Sequence, residues 1–492
     1  MKNFRLMAIA ALVLVALASC HKTDYIQVIP QESSCVVSAN IAKMATDGDL
    51  ANSNLMGVVN QYMGLITAGD ARQQFQHYVD NPADLGIDFT QPVYFFMAGD
   101  ITGVTMRVAD DDDVEKFVQM LNSQGLCSNV QTTDGVKLTQ FLDDIVFAYN
   151  AHTMLMLVNV SGSLVQARQI AAQLMNQDKA SSFVETEAYD EMDDQSDRDI
   201  VAYTNGAALS GELLESVKSL LPTGIRPVDI ELFSSVAFEK GKAVLSAEIT
   251  GKSQTAQKLL DDGNENFHKI EGRYLEPQEG FATWIAMGVK GSWLLEHLKQ
   301  NPRAKQTLLM LERAIDVETI IRSVDGDVAI TLSKDFDTEK GLAGADFMLM
   351  ANVENTDFLK DVDYWQKTMK QYGVSMSRTK GNDYVLKASD YSLNWGVDGK
   401  DVYFASAKMF AANATAQRSQ LLSSRAKEIK KSQVYVYMDL ESLLKHARTG
   451  NPALDHVVSQ LKAFVLKSKS SKSVEFSLEL KDDSQNFLKA VL

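Results

Sequence analysis

Four consecutive carboxylates, Asp110 to Asp113, could hold a hard cation or share a proton. They stand directly before an amphipathic stretch, Val114 to Leu121, where carboxylates cap free amides and complement a helix dipole. Capping is the preferred reading. A second acidic run holds Glu185, Glu187, Asp190, Glu191, Asp193, Asp194, Asp197 and Asp199. Calcium takes such oxygen ligands, but the spacing matches no calcium-binding loop and lacks its turn glycine. A solvated connecting loop is expected there. Gly251-Lys252-Ser253, between a strand and a helix, matches the end of a phosphate-binding loop. The glycine that would complete the loop falls at Ser246, so the amides cannot wrap a phosphate in that way.

The histidines, His21, His77, His152, His268, His297, His446 and His456, show no helical metal-ligand spacing and no His-Glu-x-x-His. No Gly-x-Ser-x-Gly elbow is present. Trp284, Trp293, Trp365 and Trp395 could stack on a glycan, but Trp284 and Trp395 fall in strands and Trp293 in a helix, where core packing is expected. No catalytic, cofactor-binding or metal-binding residue is nominated, and no cofactor is expected.

The elements that would position any site recur along the chain. One unit is a strand running into a helix, at Cys35–Asn40, Ile200–Asn205, Ala282–Met287 and Val434–Asp439. Another is a strand, polar residues and a short helix, beginning at Met106, Leu245, Phe347 and Val474. A strand with a hairpin, from Gly135 to Val158, parallels Asp383 to Ala405, where Asp398-Gly399 is a strong turn signal. Val324-Asp325-Gly326-Asp327 and Glu239-Lys240-Gly241-Lys242 also read as turns between strands. The order of units is the same in both halves. Residues 31–275 and 276–492 are therefore expected to be tandem copies of one α+β domain, each a mainly antiparallel sheet with helices packed on one face.

Lys2 and Arg5 precede an unbroken apolar run, Leu6 to Ala18, which is too short to cross roughly 30 Å of hydrocarbon as a helix. It ends in Leu17-Ala18-Ser19-Cys20, which resembles the cleavage box of bacterial lipoproteins. That resemblance implies a signal peptide at 1–19, lipid (including palmitate) on Cys20, and a tether at 20–30. His21 to Gln31 reaches at most about 35 Å. The resemblance places the protein in the cell envelope, with the outer membrane favoured and its periplasmic or surface face left open. Removing Lys2 and Arg5 takes the net charge from −16 to −18, which argues against a nucleic-acid partner. Cys35 and Cys127 are expected to be unpaired and mostly buried.

Tyr25-Ile26-Gln27-Val28-Ile29-Pro30, leading to Ser34-Cys35-Val36-Val37-Ser38, resembles the opening of a family of Bacteroides-type lipoproteins of about 500 residues, a domain of unknown function. The family supplies no functional residues. The expectation is a non-catalytic binding or scaffold protein with an envelope protein or polymer as partner. The alternative is a hydrolase acting on envelope or glycan material.

Overall fold

The structure is a computed structural model that describes residues 24–50, 70–142, 145–158, 164–208, 225–313, 315–334, 346–388, 392–415, 418–445 and 450–492. The signal segment 1–19, Cys20, His21, His446 and Glu212 to Leu214, the helix of the strand-into-helix unit that begins at Ile200, lie outside the described residues. Within them the chain is mixed α+β, dominated by one large antiparallel sheet with helices packed on it.

The strands are β1 Cys35–Ala39, β2 Val93–Ala98, β3 Ile101–Arg107, β4 Gln131–Thr133, β5 Val136–Phe141, β6 Ile145–Tyr149, β7 Thr153–Val158, β8 Ile200–Asn205, β9 Ile230–Glu239 and β10 Lys242–Gly251. They continue as β11 Phe267–His268, β12 Phe281–Lys290, β13 Val324–Ser333, β14 Phe347–Val353, β15 Ser375–Lys380, β16 Asp383–Lys387, β17 Ser392–Asp398, β18 Asp401–Ser406, β19 Val434–Asp439, β20 Leu461–Ser470 and β21 Ser473–Leu480. Their ladders run β4-β5-β6-β7-β3-β2-β1-β8-β9-β10 and, through β10, on to β21-β20-β19-β12-β13-β14-β18-β17-β16-β15. The β10–β21 ladder, from Lys242↔Glu479 to Glu248↔Ser473, joins the two runs. The short β11 pairs with the end of β12.

Helices follow several of these strands: α1 Ile41–Asp47 after β1, α2 Asp111–Ser123 after β3, α3 Leu164–Met175 after β7, α4 Glu187–Asp193 before β8 and α5 Gln254–Asn266 after β10. Further along lie α6 Gly291–Gln300 after β12, α7 Val362–Gln371 after β14, α8 Ala407–Thr415 after β18 and α9 Phe487–Val491 after β21.

Helices cover both faces of the sheet rather than the one face the sequence suggests. On β6, Val146 and Ala148 join a core with Ala167 and Ala171 of α3, while Phe147 and Tyr149 join one with Val114 and Val118 of α2. On β18, Val402 packs with Trp365 of α7, and Ala405 packs with Met409 of α8. A strand that is apolar at successive positions has two faces to bury, because side chains alternate across the pleat. Each large side chain sealed in this way contributes about 1.5–3 kcal/mol.

Two local readings are corrected. Val324–Asp327 opens β13 instead of forming a turn. Gly326 has φ of 143°, and the register against β14 shifts between Val324 and Val328, so the glycine serves a bulge. The acidic run from Glu185 is solvated as expected from Glu185 to Asp197, but it is not a loop throughout, because Glu187–Asp193 form α4. Thr186 caps α4 by accepting from the Tyr189 amide at 3.2 Å, and Ala188, Tyr189 and Met192 pack on the first core. Its last acid, Asp199, is fully buried, accepts from the Phe238 amide at 2.7 Å and pairs with Lys43. At the sheet's ends, β4 is exposed throughout, and the exposed strand β15 carries Arg378 and Lys380, charges that discourage edge-to-edge pairing.

Candidate functional site

The residues singled out by type do not assemble. Asp110 caps α2, accepting from the amides of Asp112 at 3.0 Å and Asp113 at 3.2 Å. Ser253 caps α5 through the Ala256 amide at 3.2 Å, and Lys252 reaches Glu231 at 2.5 Å. His77 sits 2.8 Å from Asp84, His297 packs on Trp293, and His456 contacts the Ala490 carbonyl at 3.3 Å, each in a different part of the fold. Cys35 and Cys127 are free thiols, the second buried. Trp284, Trp365 and Trp395 are core residues, and Trp293 is half-buried. Among the described residues no group of three or more His, Cys, Asp or Glu side chains could hold a metal ion, and no helix is long and apolar enough to cross a membrane.

The chemistry the structure does concentrate lies in a cleft of about 460 Å³ over β13 and β14. Its floor is Ala329 and Thr331 of β13 with Met348 and Met350 of β14. Met409 of α8 forms one wall, and Gly272 to Gln278 forms the other with Arg418 and Ser423. Residues two apart on a strand share a face, so the spacing of Met348 and Met350 places both sulfurs on this floor. Methionine thioethers are polarizable and flexible and adapt to irregular apolar surfaces.

The Gly272–Gln278 wall is pinned at both ends. The Asp327 carboxylate is 1% exposed and accepts from the amides of Glu271 at 2.8 Å, Gly272 at 2.8 Å and Arg273 at 2.9 Å. Gly272 makes the turn with φ of 85°. At the far end Gln278 bridges Arg418, and the Ser419 amide donates to the Pro277 carbonyl at 2.9 Å. Midway, the Tyr274 hydroxyl donates to Asp401 at 2.7 Å. Burial first, and then that carboxylate, pushes the Tyr274 hydroxyl far above its ordinary range, so it stays protonated.

Gln278 is the unusual member. It is 7% exposed, its Nε2 points at the Met409 sulfur at 2.5 Å, and its Oε1 is buried without a partner. An unmet buried acceptor costs about 1–3 kcal/mol. Arg273 and Arg418 stand at the rim with Glu276, and Glu271 lies just outside the lining. Arg273 Nε lies 3.1 Å from Glu271, and Arg418 Nη1 donates to the Glu276 carbonyl at 3.2 Å. The described lining contains no His, Cys, Asp or Lys. It offers guanidinium groups at the rim and an apolar floor, a set suited to holding a molecule.

Residues 25–488 match a family described as Domain of unknown function (DUF4836). The chain belongs to this family. The matched span includes every residue of the cleft. Two crystal structures of a protein titled TP0453 also align, at levels that carry no argument about fold. Form IV gives a TM-score of 0.27 at 9% identity over 45% of this chain and 79% of that chain. Form III gives 0.25 at 13% identity over 41% and 77%. No curated protein matches.

Sequence reasoning missed the whole cleft. Met348-Leu349-Met350 was visible as a strand, and the alternation hinted at paired methionines. Asp327 was hidden in an apparent turn, and nothing local connects Gln278 to Met409, which lie 131 residues apart.

Proposed function

We propose that this chain is a lipid-anchored protein of the cell envelope that binds a ligand without converting it, and that it consists of two copies of one α+β domain. The observation carrying the binding reading is the cleft of small-molecule size in the second half, walled by Gly272–Gln278 and floored by Met348 and Met350. A catalytic reading needs a nucleophile with an adjacent base, and the Tyr274 hydroxyl is committed to Asp401 and held protonated. The anchor rests on Leu17-Ala18-Ser19-Cys20, which would put lipid on Cys20 and favour the outer membrane. The net charge, −18 once Lys2 and Arg5 are removed, disfavours nucleic acid.

The duplication draws support from the strand order. Reading each run from β10 and β21 outward, strands β9-β8-β1-β2-β3-β7-β6-β5-β4 correspond one for one to β20-β19-β12-β13-β14-β18-β17-β16-β15. On this reading β10 and β21 are equivalents paired antiparallel, the arrangement of a two-fold dimer within one chain. Drawn by packing, the copies start at Tyr25 and at about residue 267, because Ile270, Tyr274 and Leu275 belong to a core of the second half. The stretch Tyr25 to Ile29 then corresponds to the cleft wall. In the first copy it is swallowed by the core, with Tyr25, Ile26, Val28 and Ile29 all 3% exposed or less. One copy would thus be plugged by its own chain, and the other left open to a ligand.

The test is native mass spectrometry of the protein extracted from its membrane. Wild type is expected to carry a small molecule that returns unaltered on release and is lost from Gln278→Leu. A released molecule cleaved by the protein would favour the hydrolase alternative, and a complement of bound molecules unaffected by Gln278→Leu would overturn the assignment of the cleft. Labelled palmitate is expected in wild type and absent from Cys20→Ala.

A further inference from the structure

We infer that the surface of the first copy around Asp24, Asp178 and Lys179 faces phospholipid head groups, held there by a tether much shorter than the stretch 20–30. The inference rests on lipid at Cys20. Of that stretch, Tyr25 to Pro30 is part of the folded body. Tyr25, Ile26, Val28 and Ile29 belong to the first core. The Tyr25 hydroxyl donates to the Pro92 carbonyl at 2.9 Å, and the Tyr25 carbonyl accepts from Thr105 Oγ1 at 2.7 Å. Gln27 Nε2 donates to the Gln177 carbonyl at 2.7 Å. Gln177 Nε2 donates in return to the Gln27 carbonyl and, at 3.1 Å, to the Ile29 carbonyl. The Phe183 amide donates to the Ile29 carbonyl at 2.9 Å, and the Gln31 amide to the Ser181 carbonyl at 3.0 Å. Lengthening the tether would mean giving up these bonds and the core side chains together.

The free span is therefore Cys20 to Asp24, four residue steps, which reach about 14 Å when fully extended. The head-group layer between the acyl boundary and water is about 5–8 Å thick. Asp24 is thus held less than about 10 Å beyond it. A folded unit of about 240 residues is roughly 45 Å across, so this tether cannot bring the far side of the first copy to the bilayer. The near side is set by the packing. The Gln27 amide donates to the Asp24 carbonyl at 3.2 Å, and Gln27 is bonded to Gln177, so the exposed Asp178 and Lys179 stand on the same side as Asp24. This segment shares a core with Val146 and Ala148 of β6, whereas α2 packs on Phe147 and Tyr149 of the opposite face. Lys116 and Gln119, exposed on α2, therefore lie away from the bilayer. The covalent link sets the orientation rather than charge, because the protein is strongly acidic and the three surface residues are mixed in sign.

The experiment introduces a photoreactive benzophenone side chain at one exposed position at a time in the full lipidated protein, reconstituted in phosphatidylcholine vesicles. Phospholipid adducts are read by mass spectrometry. Asp178 and Lys179 are expected to give at least roughly tenfold more adduct than Lys116 and Gln119, because a short tether raises effective concentration only on the side it can reach. All four positions are exposed, so none of the four replacements disturbs the core. A Gly/Ser insert of about 20 residues after Lys22 spans about 25 Å on average and frees the body to turn, so the preference should fall to within about twofold. Equal yields at the four positions in lipidated protein without the insert overturn the orientation and leave the anchor standing. A preference that survives the insert overturns the tether as its cause. Absence of labelled palmitate from Cys20 overturns anchor and orientation together.

Discussion

Asp327→Ala tests how the cleft wall is held. The carboxylate accepts three backbone amides, those of Glu271, Gly272 and Arg273, at 2.8–2.9 Å from a site 1% exposed. A hydrogen bond to a charged acceptor contributes about 1.5–3 kcal/mol, and three sharing one carboxylate are less than additive, so the loss is about 3–4 kcal/mol. These three bonds hold the segment's amides to β13, so the loss falls on local opening of the segment. At 1.4 kcal/mol per factor of ten, their hydrogen exchange should accelerate roughly 10²- to 10³-fold. Hydrogen–deuterium exchange read by mass spectrometry on a peptide spanning 268–278 is the direct assay. Asp327→Asn keeps the volume and one acceptor oxygen and should fall between. Exchange within about threefold of wild type in Asp327→Ala would refute the claim that this carboxylate pins the wall.

Other consequences can be checked with standard measurements. Burial pushes the Cys127 thiol up to about 11, so its alkylation by iodoacetamide at pH 8 should be at least roughly a hundredfold slower than in the unfolded chain. Burial raises the Glu428 carboxyl, but Lys467 at 2.7 Å and the Tyr435 hydroxyl outweigh it and hold the group below its ordinary 4.5. That depressed value contributes stability above about pH 4.5 which is lost as pH falls through the lower folded value. Glu428→Gln should flatten the acid limb of a denaturation-midpoint profile. Arg425 grips Glu479 of β21 with two nitrogens, at 2.8 Å and 2.5 Å, and lies over the Tyr437 ring. Arg425→Lys keeps the charge but loses the fork, and should cost about 1–2 kcal/mol in urea unfolding; a cost no larger than that of an exposed Arg→Lys control would show that the fork is not what matters.

The sequence by itself determined the elements where local physics suffices. The alternation at Val434–Asp439 and Ser392–Val397 marks strands, and Asp110 before Val114 marks a helix start. Lys240-Gly241 marks a hairpin, made with Gly241 at φ of 73°. The ordered recurrence of those elements is likewise a property of the chain read alone. Tertiary structure decided the rest. Gly326 reads as a turn by type, and only pairing with β14 makes it a bulge. Asp199 reads as one more solvated acid until Lys43 and the Phe238 amide close around it. The cleft is the extreme case, because Gln278, Asp327, Met348 and Met409 come from segments with no local reason to meet. A hydrogen-bond deficit such as that of Gln278 Oε1 exists only once burial has removed water, and burial is a property of the packed molecule rather than of any stretch of chain.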